Sequence, residues 1–103
     1  MAKINELAER AFNNAVKRRK TTVDNITHDS TLRSLADEFA EFVIANEYLK
    51  SEHIPSVSQV VEELTDIAIV CFTELHRRGI DVEKCYWRKL SSTKIGNDYG
   101  SEN

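Results

Sequence analysis

Glycine is missing from residues 1–78 of this 103-residue chain; the three glycines are Gly79, Gly96 and Gly100. A sandwich or barrel of short strands would need turn glycines in that stretch, so an all-β fold is excluded. Neither G-x-G-x-x-G nor G-x-x-x-x-G-K-[ST] occurs, which excludes a glycine-rich phosphate loop. Proline is confined to Pro55, leaving long helices free to form around it. The two cysteines, Cys71 and Cys85, make no Cys-x-x-Cys pair, and His28, His53 and His76 have no partner at zinc spacing. The longest unbroken apolar run, Ile67–Phe72, has six residues, far short of a membrane span. Cys71 lies inside that run and is expected to be a small buried hydrophobe. A charged N-terminal segment, Met-Ala-Lys-Ile-Asn-Glu, is unlike a signal peptide, so a cytoplasmic protein is expected. Basic excess is also lacking. With 17 acids against 14 Lys and Arg, the formal charge of -3 speaks against nucleic acid as a partner.

What the chain does have is helical periodicity. Ile4, Leu7, Ala8, Ala11, Phe12, Ala15 and Val16 mark a first helix over about residues 3–19. A second is expected over about 31–50, capped by Asp29 or Ser30, with Leu32, Leu35, Ala36, Phe39, Phe42 and Val43 in one stripe. A third begins after Pro55, where Ser56 and Gln59 have capping-box spacing. It carries Val57, Val60, Val61, Leu64, Ala68, Cys71 and Leu75 and stops at Gly79. Asp81 can cap a fourth, over about 82–92. The expected architecture is one all-α domain, residues 1–94, an antiparallel four-helix bundle, followed by a flexible polar tail, 95–103. A core of this size is marginal alone, so a second copy would help.

The chemistry lies in two acid pairs. Glu38 and Glu41 on the second helix, and Glu63 and Asp66 on the third, are spaced i, i+3, which puts each pair on one face. Each pair sits beside an apolar stripe. Four carboxylates converging there would repel unless cations neutralised them, and Mg²⁺ or Mn²⁺ prefers such oxygen ligands. The plain alternative is solvated surface. Glu62 competes with Glu63 as a ligand if the helix is rotated.

The run Asp37-Glu38-Phe39-Ala40-Glu41-Phe42, the following gap, and Glu62-Glu63-Leu64-Thr65-Asp66-Ile67-Ala68-Ile69 resemble the ExxE…ExxD signature of MazG-like, all-α nucleoside triphosphate pyrophosphohydrolases. Gly79-Ile80-Asp81-Val82-Glu83-Lys84 is similar to that family's junction into its last helix, and Leu7-Ala8-Glu9…Ala15-Val16-Lys17 to its first helix. The likeness spans about residues 3–93. It implies Mg²⁺-dependent hydrolysis of an NTP or dNTP between the α- and β-phosphates, giving the monophosphate and pyrophosphate. It implies Glu38, Glu41, Glu63 and Asp66 as metal-holding, catalytic acids, and a homodimer or dimer of dimers. Lys89 stands where the family's last helix carries a lysine; Thr93 stands where the family usually carries asparagine, and no arginine follows. A non-catalytic module for nucleotide sensing or protein interaction is the alternative. Lys17 and Arg18, in the run Lys17-Arg18-Arg19-Lys20, are candidate phosphate contacts together with Lys89. Tyr86 and Trp87 are expected to close a core or an interface, and Phe12, Phe39, Phe42 and Phe72 to be core.

Overall fold

The structure is a computed structural model that describes residues 3–18 and 25–97, the last five as backbone only. It is all-helical: α1 spans Lys3–Arg18, α2 His28–Ile44, α3 Gln59–Arg77 and α4 Val82–Asn97. Among the described residues no strand occurs, only an isolated bridge between Lys50 and Ser58. Arg19 and Lys20 of the basic run lie outside the described residues, as do positions 98–103 of the expected tail. Its first residues, 95–97, continue α4.

The helix ends follow side-chain chemistry that periodicity alone misplaces. Thr27, not Asp29 or Ser30, caps α2. Its Oγ1 accepts from the Ser30 amide at 3.1 Å, and the Ser30 hydroxyl accepts from the Thr27 amide at 2.9 Å. Serine thus takes the place that Glu or Gln usually fills in a capping box. The second helix stops at Ile44, short of residue 50, because Asn46 offers the backbone another arrangement. Its Oδ1 accepts from the Tyr48 amide at 2.7 Å, while its own amide donates to Gln59 Oε1 at 3.1 Å. Ser58, rather than Ser56, caps α3 by accepting from the Val61 amide. Gln59 is spent on Asn46 and completes no capping box. Residues 45–58 close on themselves through Ser51 N–H to Val57 C=O and Gln59 N–H to Leu49 C=O, both 2.9 Å.

The end of α3 and the start of α4 are as the sequence indicates. Gly79 adopts φ 72°, and its amide donates to His76 C=O at 2.9 Å. Asp81 Oδ1 accepts from the Lys84 amide at 3.1 Å and from Asn5 Nδ2 at 2.9 Å. Asn5 Oδ1 in turn accepts from the Val82 and Glu83 amides, so a side chain of α1 satisfies donors at the start of α4.

The third helix is the centre of the fold and packs against α1, α2 and α4, with α1 also touching α4. Thr31, near the start of α2, donates to Glu74, near the end of α3, at 2.8 Å. Glu74 also holds Arg77 and Arg78, and Arg78 meets His28. Burial is sparse. Among the described residues the buried apolar side chains are Ala8, Phe12, Ile26 and Val82, with the Phe12 ring 5.1 Å from that of His76. Phe39 is 61% exposed, Val43 64% and Ile44 80%. Cys71 is exposed, contrary to its expected burial. Phe42 and Phe72 are half-buried, while Tyr86 and Trp87 stack edge-on in an exposed pair. Periodicity identifies an apolar face, but whether neighbours within the chain cover it is a tertiary matter. The radius of gyration, 16.2 Å, exceeds the roughly 13 Å of a compact domain of this length.

Candidate functional site

The middle of α2 and the first half of α3 bring Glu38, Glu41, Glu63 and Asp66 together. One carboxylate oxygen from each lies within 4.8 Å of the others. The i, i+3 spacing aims each pair off one face. The crossing that puts Thr31 beside Glu74 carries the two faces toward each other. Glu38, Glu63 and Asp66 are half-buried and Glu41 is exposed.

The electrostatics are those of crowded acid. Glu38 is pushed up to about 7, first by burial and then by Asp66, Glu41 and Glu63. Burial also raises Glu63, reinforced by Glu41 and Asp66. Asp66 is raised by burial and by Glu62 and Glu41, against the opposing pull of Arg18 and His53. Oε1 of Glu38 and Oε1 of Glu63 are fully buried with no hydrogen-bond partner. An orphaned buried acceptor of this kind calls for a proton or a cation. Oxygens this close together are a set that one divalent cation could gather. The donor set is all hard oxygen, which suits Mg²⁺ or Mn²⁺ and not zinc.

Glu62 is not part of this set. Its Oε1 accepts from Ser51 Oγ and its Oε2 lies 2.8 Å from His53 Nδ1. That settles the rotation of α3 left open by the two adjacent glutamates: Glu62 faces the 45–58 loop and Glu63 faces α2.

Two cavities flank the acids. The first, about 260 Å³, has an apolar side formed by Ala15, Ile26, Ile69 and Val70 and reaches Arg18, Glu38 and Asp66. The second, about 380 Å³, is lined by Ile44 and Ala45 and by the polar side chains of Glu41, Glu52, His53, Glu62, Glu63 and Asp66, among others. Asp66 borders both. Of the expected phosphate contacts, Arg18 is at the first cavity; Lys17 and Lys89, both exposed, line neither. The Ser51–Glu62–His53 chain is not legible in the sequence. These residues sit in an irregular loop and at the outer edge of α3, where no period or motif links them.

In comparisons with family models, with curated proteins and with solved structures, nothing matches this chain.

Proposed function

We propose that this protein is a Mg²⁺-dependent nucleoside triphosphate pyrophosphohydrolase of MazG-like type, cleaving an NTP or dNTP to the monophosphate and pyrophosphate. The observation that carries this reading is the convergence of Glu38, Glu41, Glu63 and Asp66 around two buried, unpartnered carboxylate oxygens. In this reading the four acids hold Mg²⁺, or Mn²⁺ in its place. The bound cation would neutralise phosphate charge and lower the pKa of the attacking water.

The chain's own residues divide the remaining work. A carboxylate of the acid set receives the proton of the water that attacks the α-phosphorus. Arg18, whose charge is felt at Asp66, offers a forked donor to a phosphate oxygen at the first cavity. The apolar side of that cavity, Ala15, Ile26, Ile69 and Val70, offers a dry surface to the nucleoside. Binding through Lys17 or Lys89 has less support, because neither lines a cavity beside the acids.

The reading also entails an antiparallel bundle assembled from at least two copies. The exposed stripe of Phe39, Val43 and Ile44 supports this, since burying each such side chain contributes about 1.5–3 kcal/mol. A cytoplasmic enzyme is consistent with the described helices, none of which is long and apolar enough to cross a membrane.

The test is pyrophosphate release from a panel of NTPs and dNTPs with Mg²⁺. Turnover is expected with at least one nucleotide, and Glu63→Ala should lower it by at least about 100-fold, because even outer-shell partners of a metal are worth 10–100-fold. No release from any nucleotide would overturn the reading, and nucleotide-dependent thermal stabilisation without turnover would favour the non-catalytic module.

A further inference from the structure

Resting on that reading, we propose that His53 is a phosphate-binding residue, fixed by Glu62 to receive the outer, leaving phosphates in the second cavity.

The two cavities differ in the charged groups that line them. The first has the apolar side that a nucleoside needs. The second is rich in acid: beside Ile44, Ala45 and Gln59, its lining holds the five carboxylates of Glu41, Glu52, Glu62, Glu63 and Asp66, and His53 is its one lining side chain that can become a cation. A polyanion would be repelled from such a cavity unless the acids next to it were occupied by cations and a donor also stood in its lining. His53 is that donor. Its Nδ1 lies 2.8 Å from Glu62 Oε2, so Nε2 is the nitrogen left for a ligand. The neutral imidazole, with its proton on Nδ1 toward Glu62, offers only an acceptor at Nε2. The imidazolium offers a donor.

The ring does not depend on its own loop alone for position. Ser51 is buried at 2% exposure, and its hydroxyl donates to Glu62 while accepting from the His53 and Ile54 amides, at 3.2 and 2.9 Å. Glu62 belongs to α3, one residue before Glu63. The loop, the histidine and the acid set are therefore anchored to one helix. Such anchoring lowers the ordering cost of grasping a flexible phosphate chain. The charged groups that line the cavity with His53 are Glu62, Glu63 and Asp66 from α3, Glu52 from its own loop, and Glu41 from α2. Glu62 and Glu52 lie outside the acid set and favour the imidazolium even when that set holds cations.

The reaction balances without a proton from His53. Water oxygen bonds to the α-phosphorus, the bond from that phosphorus to the oxygen bridging the β-phosphorus breaks, and its electron pair leaves on pyrophosphate. One water proton passes to a carboxylate of the acid set. His53 donates a hydrogen bond to the departing group.

The experiment is calorimetric binding of inorganic pyrophosphate with Mg²⁺, at pH 6 and pH 8, alongside steady-state turnover. His53 is 79% exposed as a side chain, so His53→Ala should fold, which circular dichroism checks. Expected is a loss of about tenfold in pyrophosphate affinity at pH 6, the value of one hydrogen bond between charged groups. Nucleoside monophosphate affinity should be unchanged. The ratio of wild-type to His53→Ala affinity should shrink from pH 6 to pH 8, a comparison in which the titration of the acid set cancels, and His53→Lys should exceed the wild type at pH 8. Wild-type and His53→Ala proteins with equal pyrophosphate affinity and equal pH dependence would overturn the proposal, as would a wild type that binds no pyrophosphate. A loss confined to Arg18→Ala would overturn it too, by putting the leaving phosphates at the other cavity. Normal turnover in both proteins with equal pyrophosphate binding refutes the role of His53 alone. Pyrophosphate binding that depends on His53, without turnover of any nucleotide, refutes the hydrolase reading alone.

Discussion

Replacing Glu38 by glutamine should make the metal-free protein more stable and weaken its response to Mg²⁺. Glu38 is pushed up to about 7 by burial and by the three acids around it, so its charged form is disfavoured in the fold. The folded state holds a proton that the unfolded chain releases near 4.5. Stability contributed by this group is therefore undiminished below about 4.5, falls as pH rises toward about 7, and is fully lost above it. By linkage, a shift from 4.5 to about 7 corresponds to about 3 kcal/mol at pH 8. The carboxyl is half-buried and partly screened, so about 1–2 kcal/mol is expected in practice. Glutamine keeps the shape, removes the charge and can donate to a neighbouring carboxylate. In a domain of this size the gain corresponds to about 5–10 °C in Tm. The assay is thermal unfolding at fixed protein concentration, with chelator or Mg²⁺, at pH 4.5 and pH 8. The two proteins should coincide most closely at pH 4.5. The metal-free variant should melt higher at pH 8. The wild type should rise more than the variant with Mg²⁺, because a cation offsets repulsion of which the variant has already lost the share of Glu38. A variant that melts at or below the wild type at pH 8 without metal, or that responds equally to Mg²⁺, would refute the picture of four mutually repelling carboxylates.

Three further outcomes follow from the rest of the fold. Glu74, held down to about 2 first by Arg77 and then by Thr31 and Arg78, stabilises the protein above the unfolded value of 4.5 and progressively less as pH falls toward about 2. Glu74→Gln should cost about 1–3 kcal/mol in urea unfolding at pH 7, with the gap narrowing in acid. Gly79→Ala should cost about 1–2 kcal/mol in the same measurement through backbone conformation alone, since φ is 72° and no atom lies within 4 Å of the added carbon. Val43→Lys should shift the sedimentation profile toward monomer if the exposed stripe on α2 meets a second copy; an unchanged profile would remove that face from the interface.

Much of the architecture was legible because helical periodicity and Gly79 are local signals. The spacing of Glu38 with Glu41, and of Glu63 with Asp66, put each pair on one face before any fold was known. The run of sequence without glycine, which excluded turn-rich folds, is filled by three helices and the two segments that join them. Helix ends were less legible. Thr27, Asn46 and Ser58 act through bonds to particular amides, and Ser30, Asp29 and Ser56 offered similar chemistry two or three residues from the actual caps.

What only the tertiary structure decided is the meeting of those faces. The crossing of α2 with α3 determines that the two acid pairs share one site and that Glu63, not Glu62, faces α2. Packing also determines that Phe39 and Cys71, apolar by pattern, are left uncovered within the chain. The physical reason is the range of the forces. Caps and amphipathic stripes arise among residues a few positions apart, whereas a carboxylate's environment and a side chain's burial depend on groups tens of residues away.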